Sequence, residues 1–115
     1  MIAMLRRRLM SNMAKAKNIA TGIAKASTNQ DDFTVTITGL GFRPDHVMMV
    51  TRMTETYTYD FWIYDNRVGY GSGNANYYKG YCTFTPNSDG ARFTNVESWN
   101  NGYLNGDYDF VAWQE

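Results

Sequence analysis

The sequence predicts an all-β chain: an antiparallel β-sandwich, jelly-roll-like, of about seven or eight short strands behind a short N-terminal basic arm or helix. Three observations predict it. Apolar residues alternate with polar ones in short runs, as where Phe33, Val35 and Ile37 interleave with threonines. Turn-forming residues recur about every ten positions. The aromatic residues include nine Tyr, a residue type that suits a pleated, half-buried surface.

Taken in order, residues 1–17 favour helix, because Met, Leu, Ala, Arg and Lys dominate. Met1, Met4, Leu5 and Leu9 make an apolar stripe with Arg6, Arg7 and Arg8 alongside. A lone helix this short is marginal in water. It is either a frayed tail or a segment that orders against a partner. Residues 18–115 form the β domain. Composition leaves residues 18–28 even between helix and strand; as a strand, Ile19, Thr21 and Ile23 share one face. Thr28 to Asp32 is a polar loop. The strand through Phe33 to Ile37 is broken by Gly39 and Gly41, and Pro44 forces a turn. A second strand starts at Val47.

Beyond Met53, Tyr57, Tyr59, Phe61 and Ile63 line one face of a strand, with Trp62 and Tyr64 on the other. Asp65-Asn66 turns the chain into Arg67 to Tyr70, and residues 71–76 read as a polar loop. Tyr77 to Thr85 is one further strand. Residues 86–90 have the composition of a tight turn, and Ala91 to Val96 returns antiparallel. The run Trp99 to Asp107 reads as a loop or irregular hairpin. In the closing strand Tyr108, Phe110 and Ala112 share one face, Val111 and Trp113 the other.

The corner TVTITGLGFRPDHVMMV resembles a GLGFxPxxV motif of small β domains in tailed-bacteriophage virion proteins. The ending Asn105-Gly106-Asp107-Tyr108-Asp109-Phe110-Val111-Ala112-Trp113 is similar to their closing strand. The resemblance covers roughly residues 18 to 113 and rests on structural motifs. It implies a virion location after synthesis in the host cytoplasm, as a head decoration or fibre, collar, or tail-tip component. A homotrimer and contacts with other virion proteins fit that setting.

Composition bounds the rest. At 43 % hydrophobic, the chain carries enough apolar residues for a folded core. Net charge is zero but uneven: residues 1–52 hold eight Lys/Arg against three Asp/Glu, and residues 53–115 hold three against eight. Half of the basic front lies before residue 16, which reads as a docking arm; the acidic second half argues against a nucleic-acid face. Cys82 is the only cysteine, so an internal disulfide and a cysteine-based metal site are excluded. LMSNMAKAKN after Arg8 is too polar for a signal-peptide core, and no run approaches the ~18 apolar residues of a membrane span.

Chemistry is not expected. His46 stands alone, without Ser-His-Asp or Cys-His spacing, and reads as a strand-start residue. Asp60, Asp65, Glu97, Asp107 and Asp109 are scattered, and nothing selects a facing pair of the kind a glycosidase needs. Gly69 to Asn74 lacks the Gly-Lys-Ser/Thr ending of a phosphate loop, and no calcium-loop spacing occurs. The expectation is a non-enzyme with no cofactor and no metal. The functional candidates are surfaces. Met4, Leu5, Arg6, Arg7, Arg8 and Leu9 form an anchoring arm, apolar residues packing and arginines pairing with acidic neighbours. Tyr70, Tyr77, Tyr78, Trp99 and Tyr103, in or beside Asn/Gly-rich loops, form an alternative: a carbohydrate-binding surface that recognises host-cell glycans by ring stacking.

Overall fold

The computed structural model describes residues 16–29, 32–51, 60–72, 75–96 and 107–115. Nine strands follow one another: β1 (Asn18–Asn29), β2 (Asp32–Ile37), β3 (His46–Thr51), β4 (Asp60–Tyr64), β5 (Arg67–Ser72), β6 (Ala75–Tyr81), β7 (Thr83–Asn87), β8 (Gly90–Thr94) and β9 (Asp107–Gln114). Among the described residues there is no helix, and every strand pair is antiparallel. The all-β antiparallel expectation holds. Among the described residues there are nine strands, against the seven or eight expected, because the single strand expected over Tyr77 to Thr85 is divided at Cys82.

The strands form one continuous sheet in the order β6-β5-β4-β3-β9-β1-β2-β8-β7. β1 carries the sheet from one half to the other. Its residues Asn18 to Lys25 pair with β9, and Ala26 to Asn29 pair with β2. The two ends of the order, β6 and β7, are joined through Cys82 alone, whose N–H donates to the Asn66 carbonyl at 2.8 Å. Pro86 sits within β7, an edge strand, where its missing N–H removes no bond from a neighbour on both sides. The polar loop expected over residues 71–76 is largely paired, since Ser72 opposes Ala75 and Gly71 opposes Asn76.

One core fills the space between the halves. Val35 and Ile37 of β2 and Ala91 and Phe93 of β8 meet Val47, Met49, Ile63, Val68, Tyr108 and Ala112 from β3, β4, β5 and β9. Each of the Val, Ile, Met and Phe side chains among them contributes about 1.5–3 kcal/mol relative to exposure. The expected alternation in β9 is observed: Tyr108 and Ala112 belong to the core, with Phe110 against it, while Val111 and Trp113 face outward. Ile19, Thr21 and Ile23 do share a face of β1, but it is the outer one, with Ile19 47 % and Ile23 56 % exposed. The inner positions of β1 take small residues because β9 fills that space: a Cβ on Gly22 would lie 2.8 Å from the Phe110 ring.

The Gly39–Gly41 corner is locked by Asp89, from the turn between β7 and β8. Gly41 N–H donates to one Asp89 carboxylate oxygen at 2.8 Å and Gly39 N–H to the other at 2.9 Å, while Leu40 N–H reaches the Asp89 carbonyl. Both glycines have positive φ, 80° and 74°, which aims successive N–H groups at one point. These bonds, Gly41 first, hold the Asp89 carboxyl below its ordinary range. Gly90 follows directly, and a Cβ there would lie 1.9 Å from the Ile37 carbonyl oxygen.

This packing makes a graded prediction for thermal unfolding. Gly90→Ala collides with backbone and should lose about 2–3 kcal/mol. Gly22→Ala meets only a ring edge that can swing aside and should lose clearly less; equal losses would contradict the close approach at Gly90.

Candidate functional site

The side of the sheet turned away from the core is apolar over the β1–β9–β3–β4 region, and the register lays it out in rows. The first row is Ile19, Trp113 and His46. The second is Thr21, Val111, Met48 and Tyr64. The third is Ile23, Asp109, Val50 and Trp62. Met48, Trp62 and Trp113 are buried at 3 %, 2 % and 0 % exposure and form a second cluster with Val50, Tyr64, Val111 and Ala16 packed against it. Tyr64 meets Trp113 edge-on, with centroids 6.2 Å apart. β3 and β9 therefore carry apolar residues on both faces, which explains the unbroken runs Val47 to Val50 and Phe110 to Trp113.

His46, the first residue of β3, stands at the end of this face. Its ring lies over Trp113 with centroids 5.2 Å apart. Nδ1 is 2.8 Å from Asp65 Oδ2 and Nε2 is 3.3 Å from Glu115 Oε1. Asp65, at the turn between β4 and β5 with φ 50°, also accepts from the Val47 N–H at 2.8 Å. Asp45 accepts from the Glu115 N–H at 2.8 Å and donates its own N–H to the Trp113 carbonyl. The cluster thus ties the start of β3, the β4–β5 turn and the chain end to one imidazole.

Its electrostatics favour a charge clamp over a reaction centre. Burial pulls the His46 pKa down, but the hydrogen bond and charge of Asp65, with the charges of Glu115 and Asp45, outweigh it and leave it raised above 6.5. The nearby Cys82 thiol donates to the Asp65 carbonyl at 3.4 Å, and burial with the Asp65 charge pushes its pKa up to about 12. It is a neutral thiol, not a nucleophile. Among the described residues no group of three or more His, Cys, Asp or Glu is arranged to hold a metal ion.

The sites expected from the sequence fall as follows. Met4, Leu5, Arg6, Arg7, Arg8 and Leu9 lie outside the described residues, as do Trp99 and Tyr103. Tyr70 and Tyr77 are register partners on β5 and β6, whereas Tyr78 opposes Gly69 beside a bulge. His46 is the strand-start residue expected, but its partnership with Asp65 was not foreseeable from spacing. Nineteen residues separate the two, and only the β3–β4–β5 register brings them together. The corner partner Asp89, nearly fifty residues from the glycines, was equally hidden.

Comparison with known protein families, with curated proteins and with solved structures finds no match to this chain.

The clamp has a pH signature. Because the folded pKa of His46 is raised, its stabilisation is complete below the unfolded value of 6.5 and is lost as pH rises through the folded value. The unfolding free-energy gap between wild type and His46→Gln should be largest near about pH 5 and shrink toward about pH 9. A gap that is flat across that window, or that widens with pH, contradicts the clamp.

Proposed function

We propose that this protein is a non-enzymatic accessory structural component of a tailed-phage particle, working by surface contact. The observation that carries the reading is the apolar outer face of β1, β9, β3 and β4, with Ile19 and Ile23 about half exposed at its margin. β1 is an interior strand, so these isoleucines offer side-chain packing and not edge pairing. The resemblance of the glycine corner and closing strand to phage virion domains supplies the setting: head decoration or fibre, collar, or tail tip. In this reading the arm of residues 1–17 and the isoleucine margin meet neighbouring virion proteins or further copies of the chain, a homotrimer among the arrangements that fit.

The test is incorporation into particles. Ile19→Asp combined with Ile23→Asp should fold with a near wild-type melting temperature, because both positions are exposed, yet be lost from purified particles. Wild-type incorporation of the double variant would overturn the reading.

A second reading, recognition of host-surface glycans, is favoured by one observation. Tyr81, on the edge strand β6 that also bears Tyr77 and Tyr78, is 69 % exposed. It predicts saturable binding of labelled protein to host cells, competed by free sugar and lost in Tyr81→Ala or Trp99→Ala. Binding unchanged in both variants would remove these residues from any such site.

A further inference from the structure

The imidazole of His46 sits among acidic groups, and the geometry decides which of its two ring protons is the one that leaves. Asp65, in the β4–β5 turn, accepts with both oxygens. Oδ1 takes the Val47 N–H at 2.8 Å, and Oδ2 faces His46 Nδ1 at 2.8 Å. A carboxylate only accepts, so this contact needs a proton on Nδ1. On the far side of the ring Nε2 lies 3.3 Å from Glu115 Oε1, a contact that needs a second proton on Nε2. Both ties exist together only in the imidazolium.

The two ties are unequal. The Asp65 contact is the shorter, its carboxylate is also held by the Val47 N–H, and its side chain is 22 % exposed against 60 % for Glu115. When the ring becomes neutral, the remaining proton therefore stays on Nδ1, because the partner of one ring nitrogen sets the state of the other. Nε2 then turns a lone pair toward the Glu115 carboxylate, acceptor against acceptor. Burial opposes the charged ring, and the charges that act on it are those of Asp65, Glu115 and Asp45, all acidic. Cys82, which donates to the Asp65 carbonyl, is a neutral thiol. Asp45 accepts from the Glu115 N–H at 2.8 Å, so without the imidazolium two carboxylates stand close together with no cation between them. The exposed one gives way.

Glu115 does not move by itself. Its neighbour Gln114 accepts the Lys17 N–H at its carbonyl and the Asn18 side-chain amide at Oε1, both at 2.7 Å. Trp113 lies against the imidazole, ring centroids 5.2 Å apart, and its carbonyl takes the Asp45 N–H. The start of β1, the start of β3 and the end of β9 meet around this one ring.

We propose that the Nε2 proton of His46 is a pH-operated latch: when present it fastens Glu115 and the end of β9 to the start of β3, and when lost it frees Glu115 while Asp65 keeps the ring in place. The latch is closed in acid and opens as pH rises, with the strand ladder still paired. It is local, a side chain let go from an intact fold, and so is distinct from the clamp's share in global stability. It does not rest on the particle reading, because it is a property of the single chain.

The test is a pH titration of the full, nitrogen-15-labelled chain by nuclear magnetic resonance. His46 is the only histidine, so the ring signals belong to it alone. Ring nitrogen shifts separate a protonated from an unprotonated nitrogen. Above the transition the neutral ring should carry its proton on Nδ1, and the Glu115 backbone amide should shift with the same midpoint as the ring. Glu115→Gln, at an exposed position, should lower that midpoint and leave the proton of the neutral ring on Nδ1. A neutral ring protonated on Nε2 would overturn the proposal. So would a Glu115 amide that does not follow the ring, or a midpoint unchanged in Glu115→Gln.

Discussion

The structure depends on the β3–β9 pair, which is covered on both faces. From this pair Val47, Met49, Tyr108 and Ala112 point into the core, while Met48, Val111 and Trp113 point to the outer cluster. Both clusters are written on one register, so a slip by a single residue would exchange every inward and outward side chain at once. Such a slip would move Trp113, the bulkiest group of β9, into the space now filled by Ala112. The register is pinned at its end by Asp45, which donates to the Trp113 carbonyl and accepts from the Glu115 N–H. His46 adds a charged tie between Asp65 and Glu115 at the same end. A polar clamp at the rim and a continuous apolar seam divide the work of holding the central strands.

The second constraint is the corner. Leaving β2, the chain must turn without leaving the N–H groups of residues 39–41 unpaired. Two left-handed glycines aim the backbone at the Asp89 carboxylate, and Gly90 then lets β8 run tight against the end of β2. The GLGFRP stretch is therefore half of a device, and the β7–β8 turn is the other half. Pro44, fully buried, closes the corner and delivers the chain to His46 and the start of β3.

Most of the strand pattern was legible because alternation is a local signal. Val35 and Ile37, Phe61 to Tyr64 and Tyr108 to Trp113 take the faces that alternation predicts. Composition leaves β1 even, since its alanines favour helix and its isoleucines favour strand; the resemblance implies strand, and the pairing with β9 bears that out. The break at Cys82 was invisible: Tyr77 to Thr85 reads as one strand, and its division follows from β6 and β7 belonging to opposite edges of the sheet. The all-β antiparallel architecture follows from these local signals, and β1 is long enough to pair with β9 in one half and β2 in the other, which joins the strands into one continuous sheet. For the site, the parity of Trp62 and Trp113 was read correctly. Their burial on an outward face was not, because a two-layer fold leaves that side to solvent. The Asp65 and Asp89 partnerships are long-range, and no spacing rule reaches them.

β3 and β9, apolar on both faces, should be the most protected element of the sheet. Amide hydrogen exchange measured residue by residue tests this most directly. Val47 to Val50 and Val111 to Trp113 should exchange only through global unfolding, while the edge strand β7 opens far more readily. Exchange at Val111 to Trp113 as fast as in β7 would contradict it, and would mean that the outer face is open to water in solution.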